Sequence, residues 1–423
     1  MTSAIHDIPA FKQKALQWVA QFEVVCYLDS NNFIDKYGNY DTLIAVGVAD
    51  ELTANVGNAF AKLEEFRQKH NDWVFGLLGY DLKNEIENLS SKNFDSLAFP
   101  ELYFFAPKHL IKIKDNEVEV VGRDTAVIVS EIENTVADIS TNAPSINLKT
   151  RFSKQEYIDT ANKIKEHISR GDIYVTNFCQ EFYADDAEIN PLSVYKSLNS
   201  ISPNPFSCFF KLKEKYIMCA SPERFLAKRG NKLISQPIKG TAKRNGDKIQ
   251  DEINKRSLQL HTKELQENVM IVDLVRNDLT RSAKQGTVKT EELFGVYSFK
   301  QVHQMISTVT CEIAENISEV QAIKNTFPMG SMTGAPKVSA MQLMEQYERT
   351  KRGVYSGAVG YFSPDGDFDF NVVIRTLLYN AENKYLSFQT GSAITFNADA
   401  GQEYEECLLK AKAILEVLGA PLT

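Results

Sequence analysis

The sequence predicts an α+β fold. From Ser153 onward, segments of helical period and segments of strand composition follow one another with no repeat and no steady strand–helix alternation. Apolar residues make up 43% of 423 positions and charged residues 24%, enough for a sizeable core and unlike a disordered or fibrous chain. At roughly 100 to 200 residues per domain, the length suits two or three units or one large fold.

Taken in order, the first stretch predicts a helix from Ala10 to Gln21, a strand from Glu23 to Leu28, a helix from Thr53 to Lys69 and a strand from Asp72 to Leu78. Leu110 to Lys114 and Glu117 to Val121 read as a hairpin turning at Asp115-Asn116. Between about Glu131 and Lys149 the composition shifts to Ser, Thr, Asn, Asp and Pro, as in a surface connector, giving regions 1–145 and 150–420. Beyond it, helices are predicted over Lys154 to Ser169, Pro191 to Leu198, Lys248 to Val275, Glu319 to Asn325, Lys337 to Tyr347 and Gln402 to Leu418. The strands between them include Ser207 to Lys211, Tyr216 to Ser221, Lys232 to Ile238, Val354 to Phe362, Asp367 to Tyr379 and Tyr385 to Ala393.

Several function classes are disfavoured. The net charge is −8 and no basic stripe is present, so nucleic acid is not an expected partner. No run of about 18 apolar residues occurs, and Met1 to Pro9 lacks a basic segment followed by an apolar one, so a cytoplasmic chain without membrane contact is expected. The six cysteines are dispersed with no Cys-x-x-Cys pair, as reduced core residues would be.

Two helices carry acidic pairs at helical spacing. Glu264 and Glu267 project from one face of the first. Glu403 and Glu406 repeat the spacing in the second, with Lys410 one turn on and a capping box at Asp399 and Gln402. Either pair alone reads as a solvated helix face. However, both adjoin apolar runs, Val269 to Val272 and Cys407 to Leu409, and acids bordering a core need a counterion. An all-oxygen donor set with vacant positions suits Mg²⁺.

The turn Gly330 to Lys337 lacks the Gly-Lys-Ser/Thr of a phosphate loop, and Pro336 offers no N–H. It is either an ordinary turn with proline at a helix start or an anion-favouring helix N-terminus. Lys239 ends an apolar strand just before Lys243 and Arg244, and is either solvated or a nucleophile whose free amine those cations favour. Glu223 is a paired surface acid or a general acid. Arg375 interrupts an apolar strand and needs an anion if it points inward.

Together, Ser221 to Phe225, Pro237 to Thr241, Glu267 to Asp278, Phe327 to Lys337 and Arg352 to Tyr361 resemble the chorismate-binding enzymes, continuously from about Ser153 to Leu418. Gly76 to Asp81 extends a weaker likeness into the first stretch. The resemblance implies an anthranilate synthase component I-like fold, two packed antiparallel sheets flanked by helices. It implies Glu267 and Glu406 as direct Mg²⁺ ligands, with Glu264 and Glu403 acting through waters. Tyr355, Arg375 and Lys410 match groups that hold substrate carboxylates, Ser331 a hydroxyl contact, Gly391 a backbone contact in a glycine-rich turn (Thr390 to Ala393), and Glu223 an acid for a departing hydroxyl.

Within that family, isochorismate and salicylate synthases carry a lysine base where Val175 stands, so water activation is not expected. Anthranilate synthases carry a small residue where Lys239 stands, and aminodeoxychorismate synthases carry the lysine. The resemblance therefore implies the large subunit of an aminodeoxychorismate synthase. Such a subunit forms 4-amino-4-deoxychorismate through a lysine-bound intermediate, and a separate lyase converts the product to 4-aminobenzoate for folate. No Gly-x-Cys-x-Gly glutaminase motif is present, which implies a glutamine amidotransferase partner as the ammonia source. The alternatives are an anthranilate synthase large subunit and a non-catalytic chorismate-binding regulatory subunit. The family often has His at the position of Gln304, and His303 faces the opposite side of a strand, so no catalytic His is assigned.

Overall fold

The computed structural model describes residues 2–5, 7–122, 125–137, 144 and 146–420. Met1 and His6 of the charged start, and positions 138–143 and 145 of the predicted connector, lie outside the described residues.

Two antiparallel sheets share one long strand, Leu102–Lys114. In the first sheet the order is Glu117–Val121, Leu102–Lys114, Thr42–Ala54, Val24–Asp29, Phe206–Leu212, Lys215–Ser221, Thr376–Asn380, Tyr385–Thr395 and Val175–Ala184. In the second, Leu102–Lys114 leads through Val74–Leu78, Ala358–Phe362, Phe368–Asn371, Arg224–Arg229 and Lys232–Gln236 to Val302–Glu312 and Lys289–Ser298. The shared strand serves both because its first residues pair with Val74–Leu78 and its last with Glu117–Val121 along the same edge. Strands from before and after the connector thus pair in both sheets.

The period of two along each strand sorts its residues between two cores. Val24, Cys26, Leu43, Ala45, Phe210 and Ile217 join the core that unites both sheets. Their chain neighbours Val25, Tyr27, Ile44, Val46, Phe209 and Met218 pack under helices Ile8–Trp18, Thr125–Asn134, Pro191–Ile201 and Ala400–Val417. Helix Lys154–Arg170 begins with a capping box between Ser153 and Glu156 and packs Tyr157 and Ile164 beside Tyr404 and Cys407. All six cysteines are free and buried. Among the described residues no helix is long and apolar enough to cross a membrane.

Several elements differ from the expectation: Leu102–Lys114 begins eight residues before the predicted Leu110, and the strand predicted from Val354 begins at Ala358 after a turn. Thr42–Ala54 is a strand, so the helix predicted from Thr53 begins only at Ala59. Thr125–Asn134 is a helix burying Ile128, Val129 and Ile132, so the connector starts later than Glu131. The long helix predicted from Lys248 splits at His261, whose extended backbone ends Lys248–Leu260 before Thr262–Thr280 starts. The strand predicted from Asp367 to Tyr379 breaks between Phe368–Asn371 and Thr376–Asn380, where Arg375 takes a φ of 54°.

Candidate active site

Helix Thr262–Thr280 carries Glu264 and Glu267 in its first turns, and helix Ala400–Val417 carries Glu403 and Glu406 in its own. The second helix starts where the Asp399 side chain accepts from Gln402 N at 2.9 Å. The four carboxylates face one another. Burial raises the Glu264 carboxyl above its ordinary pKa and the Glu406 charge adds to that. Glu267 is raised by burial against the opposing pull of Lys239 and Lys263. Glu403 is raised by burial, with a Lys263 hydrogen bond opposing. Glu406 alone goes down, to about 2, because Lys410 lies 2.7 Å away and outweighs burial. The Glu267 Oε1 atom is buried with no hydrogen-bond partner.

Lys239 reaches this cluster through a break in its strand. Ile238 pairs with Ile306, but Thr241 pairs with Gln304, so three steps on one strand match two on the other. That bulge turns Lys239 out of the ladder. Gly240 sits in it at a φ of 94°, and a Cβ there would stand 3.2 Å from Glu264 Oε2 and 3.2 Å from Leu258 Cδ1. A glycine therefore fits both the backbone angle and the close approach of the acidic helix. The Lys239 charge favours the ionised forms of Glu223, Glu264, Glu267 and Glu406.

Glu223 precedes strand Arg224–Arg229 and is 3% exposed. Burial raises its carboxyl to about 7, against the Ser331 hydroxyl, the Lys239 charge, the Ile238 N–H and the Lys410 charge. Ser331, on the short 3-10 turn Gly330–Met332, is buried, and its Oγ has no well-formed hydrogen bond although it stands close enough to stabilise the Glu223 anion. An acid poised at neutral pH beside an unsatisfied hydroxyl and an amine can deliver a proton.

Arg375 closes the other side. Burial lowers its guanidinium pKa, with Tyr355 and Glu406 opposing, and among the described residues it has no side-chain hydrogen bond or ion pair. Tyr355 is buried, with its hydroxyl 3.9 Å from Cys179 Sγ. Lys410 donates to Gly391 O at 2.8 Å as well as pairing with Glu406. An unpaired guanidinium beside a lysine and a tyrosine hydroxyl is suited to carboxylates. All eleven sequence-predicted site residues therefore lie in one connected neighbourhood. A separate cavity of about 470 Å³, lined by Asp29, Asp35, Phe206, Arg224 and Tyr361, contains none of them.

The family model for chorismate binding enzymes matches residues 23–416. The chain belongs to the chorismate-binding enzyme family. It is 30% identical over 363 residues to aminodeoxychorismate synthase component 1 of Bacillus subtilis, covering 82% of this chain and 76% of that one. It is 32% identical over 365 residues to anthranilate synthase component 1 of Cereibacter sphaeroides, covering 81% and 72%. Anthranilate synthase component I from Streptococcus pneumoniae TIGR4 superposes with a TM-score of 0.79 at 23% identity, over 90% of this chain and 93% of that chain, which shows the shared fold.

A divalent cation in this chorismate-binding enzyme would find an all-oxygen donor set, a buried oxygen on Glu267 with no hydrogen bond, and carboxylates whose ionisation is opposed by burial first and by one another second. The residue types fit. Among the described residues no three such side chains stand in metal-holding geometry as they are. Lys263 Nζ instead lies 2.8 Å from Glu403 Oε1 and 3.8 Å from Glu267 Oε1. Sequence reasoning passed over Lys263, although its i,i+4 spacing to Glu267 was legible.

Two local expectations need correction, on Lys239 and Gly391, and the turn Gly330 to Lys337 follows the plainer of its two readings, with Pro336 at the helix start. Lys243 and Arg244 do not crowd Lys239: Lys243 is exposed beyond the bulge and Arg244 pairs with Asp251 at 2.9 Å, so the surroundings of Lys239 are carboxylates. Gly391 lies inside strand Tyr385–Thr395 and not in a turn; its hydrogens face Cys179 Sγ, 2.7 Å from where a Cβ would be. Gly334 serves packing, since a Cβ there would meet the Val175 carbonyl at 2.2 Å, while Lys337 turns inward to Asp278 at 2.6 Å. His303 bonds Ser298 and Asp251, facing away from Gln304, whose buried Oε1 has no partner. Val175 is a buried apolar residue on its strand.

Proposed function

We propose that this chain is the large subunit of an aminodeoxychorismate synthase, converting chorismate and ammonia to 4-amino-4-deoxychorismate in the cytoplasm, with a glutamine amidotransferase as ammonia source. The observation that carries the reading is Lys239, turned by a bulge into the space shared with Glu223 and the four glutamates. Arg375, Lys410 and Tyr355 bind the substrate carboxylates, and Ser331 offers a hydroxyl beside Glu223. Glu267 and Glu406, with Glu264 and Glu403 beside them, would hold Mg²⁺, which would supply positive charge to the ring carboxylate.

Lys239, in its unprotonated amine form, attacks the ring carbon next to the carboxylate-bearing carbon. The double bonds shift, the C–O bond across the ring breaks, and Glu223 gives its proton to the departing hydroxyl, which leaves as water. Ammonia then attacks the carbon that lost oxygen, the double bonds shift back, and the C–N bond to Lys239 breaks. The proton released by the incoming amine returns to the Glu223 carboxylate, so the sum is chorismate plus ammonia giving the amino product plus water. Without the lysine, ammonia would enter at the first carbon and lead to anthranilate.

Anthranilate synthase is the second reading, supported by the 32% identity to the Cereibacter protein. Incubation with chorismate, Mg²⁺ and ammonium separates the two. Accumulation of non-fluorescent 4-amino-4-deoxychorismate is expected; direct formation of fluorescent anthranilate would overturn the choice.

A further inference from the structure

Lys263 is the one lysine of the acidic cluster with no role in the proposed chemistry. Lys239 is the nucleophile, and Lys410 is fixed by Gly391 O and Glu406. Lys263 bridges the two helices instead, 2.8 Å from Glu403, which is 1% exposed, and 3.8 Å from Glu267. Its position works against its own helix. It sits in the first turn of Thr262–Thr280, where backbone N–H groups and the positive end of the dipole disfavour a cation, and His261 supplies no side-chain cap. A lysine held there is held by its carboxylate partners.

We infer that Lys263 is a built-in counterion that neutralises the glutamates while no metal is bound and has to leave Glu403 and Glu267 when a divalent cation arrives. The inference rests on the metal reading above. Its consequence is that Lys263 weakens metal binding: each ion that enters must first displace an ammonium already paired to two of its ligands. The same contact ties the two acidic helices together before metal and substrate arrive, since it bridges them across carboxylates that repel one another. Side-chain length matters as well as charge, because the four-carbon stem, only 36% exposed, spans from one helix to the other.

The test uses Mn²⁺ as an electron paramagnetic resonance probe on the full chain, without substrate. Free Mn²⁺ is counted for wild type, Lys263→Met, Lys263→Gln and Glu267→Gln, and each is also melted with and without the ion. Removing one opposing unit charge at contact distance should tighten Mn²⁺ binding about tenfold or more in both Lys263 variants. Both should melt lower than wild type when metal-free, with the gap closing on adding Mn²⁺. Unchanged or weaker binding in folded Lys263 variants, with wild-type binding intact and lost in Glu267→Gln, overturns the counterion role and leaves the metal reading standing. Absence of saturable Mn²⁺ binding by wild type, or binding indifferent to Glu267→Gln, overturns the metal reading and this inference with it.

Discussion

Replacing Glu223 by Gln separates what this carboxyl does for catalysis from what it costs the fold. The side chain is 3% exposed and its pKa is raised to about 7 from 4.5, burial outweighing Ser331, Lys239 and Lys410. A raised acid binds its proton more tightly when folded, so its contribution is fully present below the unfolded pKa and is lost as pH rises through the folded one. The window therefore runs from about pH 4.5 to about pH 7, and the loss amounts to roughly 3 kcal/mol by about pH 8. Glutamine keeps the shape and cannot ionise. In urea denaturation of wild type and Glu223→Gln, the variant should gain about 2 to 3 kcal/mol relative to wild type between about pH 5 and about pH 8. Turnover of chorismate should fall by about 10² to 10⁴ over the same range, as loss of a general acid implies. A stability difference that does not move with pH, or a variant with undiminished turnover, would refute the account of Glu223 as a buried, half-protonated acid.

Three further outcomes are expected. Lys239→Ala should lower formation of 4-amino-4-deoxychorismate by about 10³-fold or more, measured by product chromatography, because the nucleophile is gone; undiminished turnover would favour a lysine-independent reaction. Arg375→Met should raise KM for chorismate about 10- to 100-fold by removing a charged hydrogen-bond donor, while Tm holds or rises because a half-buried charge without an ion pair is lost. Arg352→Met should cost about 3 to 5 kcal/mol in denaturant titration, since Arg352 is 2% exposed and pairs with Glu348 at 2.7 Å while donating to Met332 O and Asn177 O, and the buried Glu348 would be left alone.

The acidic pairs were legible because a helix repeats its faces at three and four residues, and the helix holding Glu403 and Glu406 announced its start through Asp399 and Gln402. The setting of Lys239 was not legible. Strand alternation places Lys239 and Lys243 on one side, and only the slipped register at Gly240 turns Lys239 toward the carboxylates. Nor did local pattern reveal how Val24–Asp29 finds Phe206–Leu212, or Val74–Leu78 finds Ala358–Phe362, since such pairings are chosen by packing between residues far apart in the chain. Thr42–Ala54 escaped because its outer half alternates half-buried and exposed residues, among them Asp50 and Glu51 of low strand propensity. Lys263 escaped for a related reason: a lysine four residues before a glutamate reads as a solvated helix pair until a second helix brings Glu403 against it.

In the proposed reaction one amine temporarily occupies a ring carbon. Mass spectrometry of the protein incubated with chorismate and Mg²⁺ in the absence of ammonia tests it directly. An added mass of chorismate less one water is expected, mapped by peptide digestion to Lys239 and discharged when ammonium is added. An unmodified Lys239 in protein that converts chorismate once ammonium is supplied would contradict it.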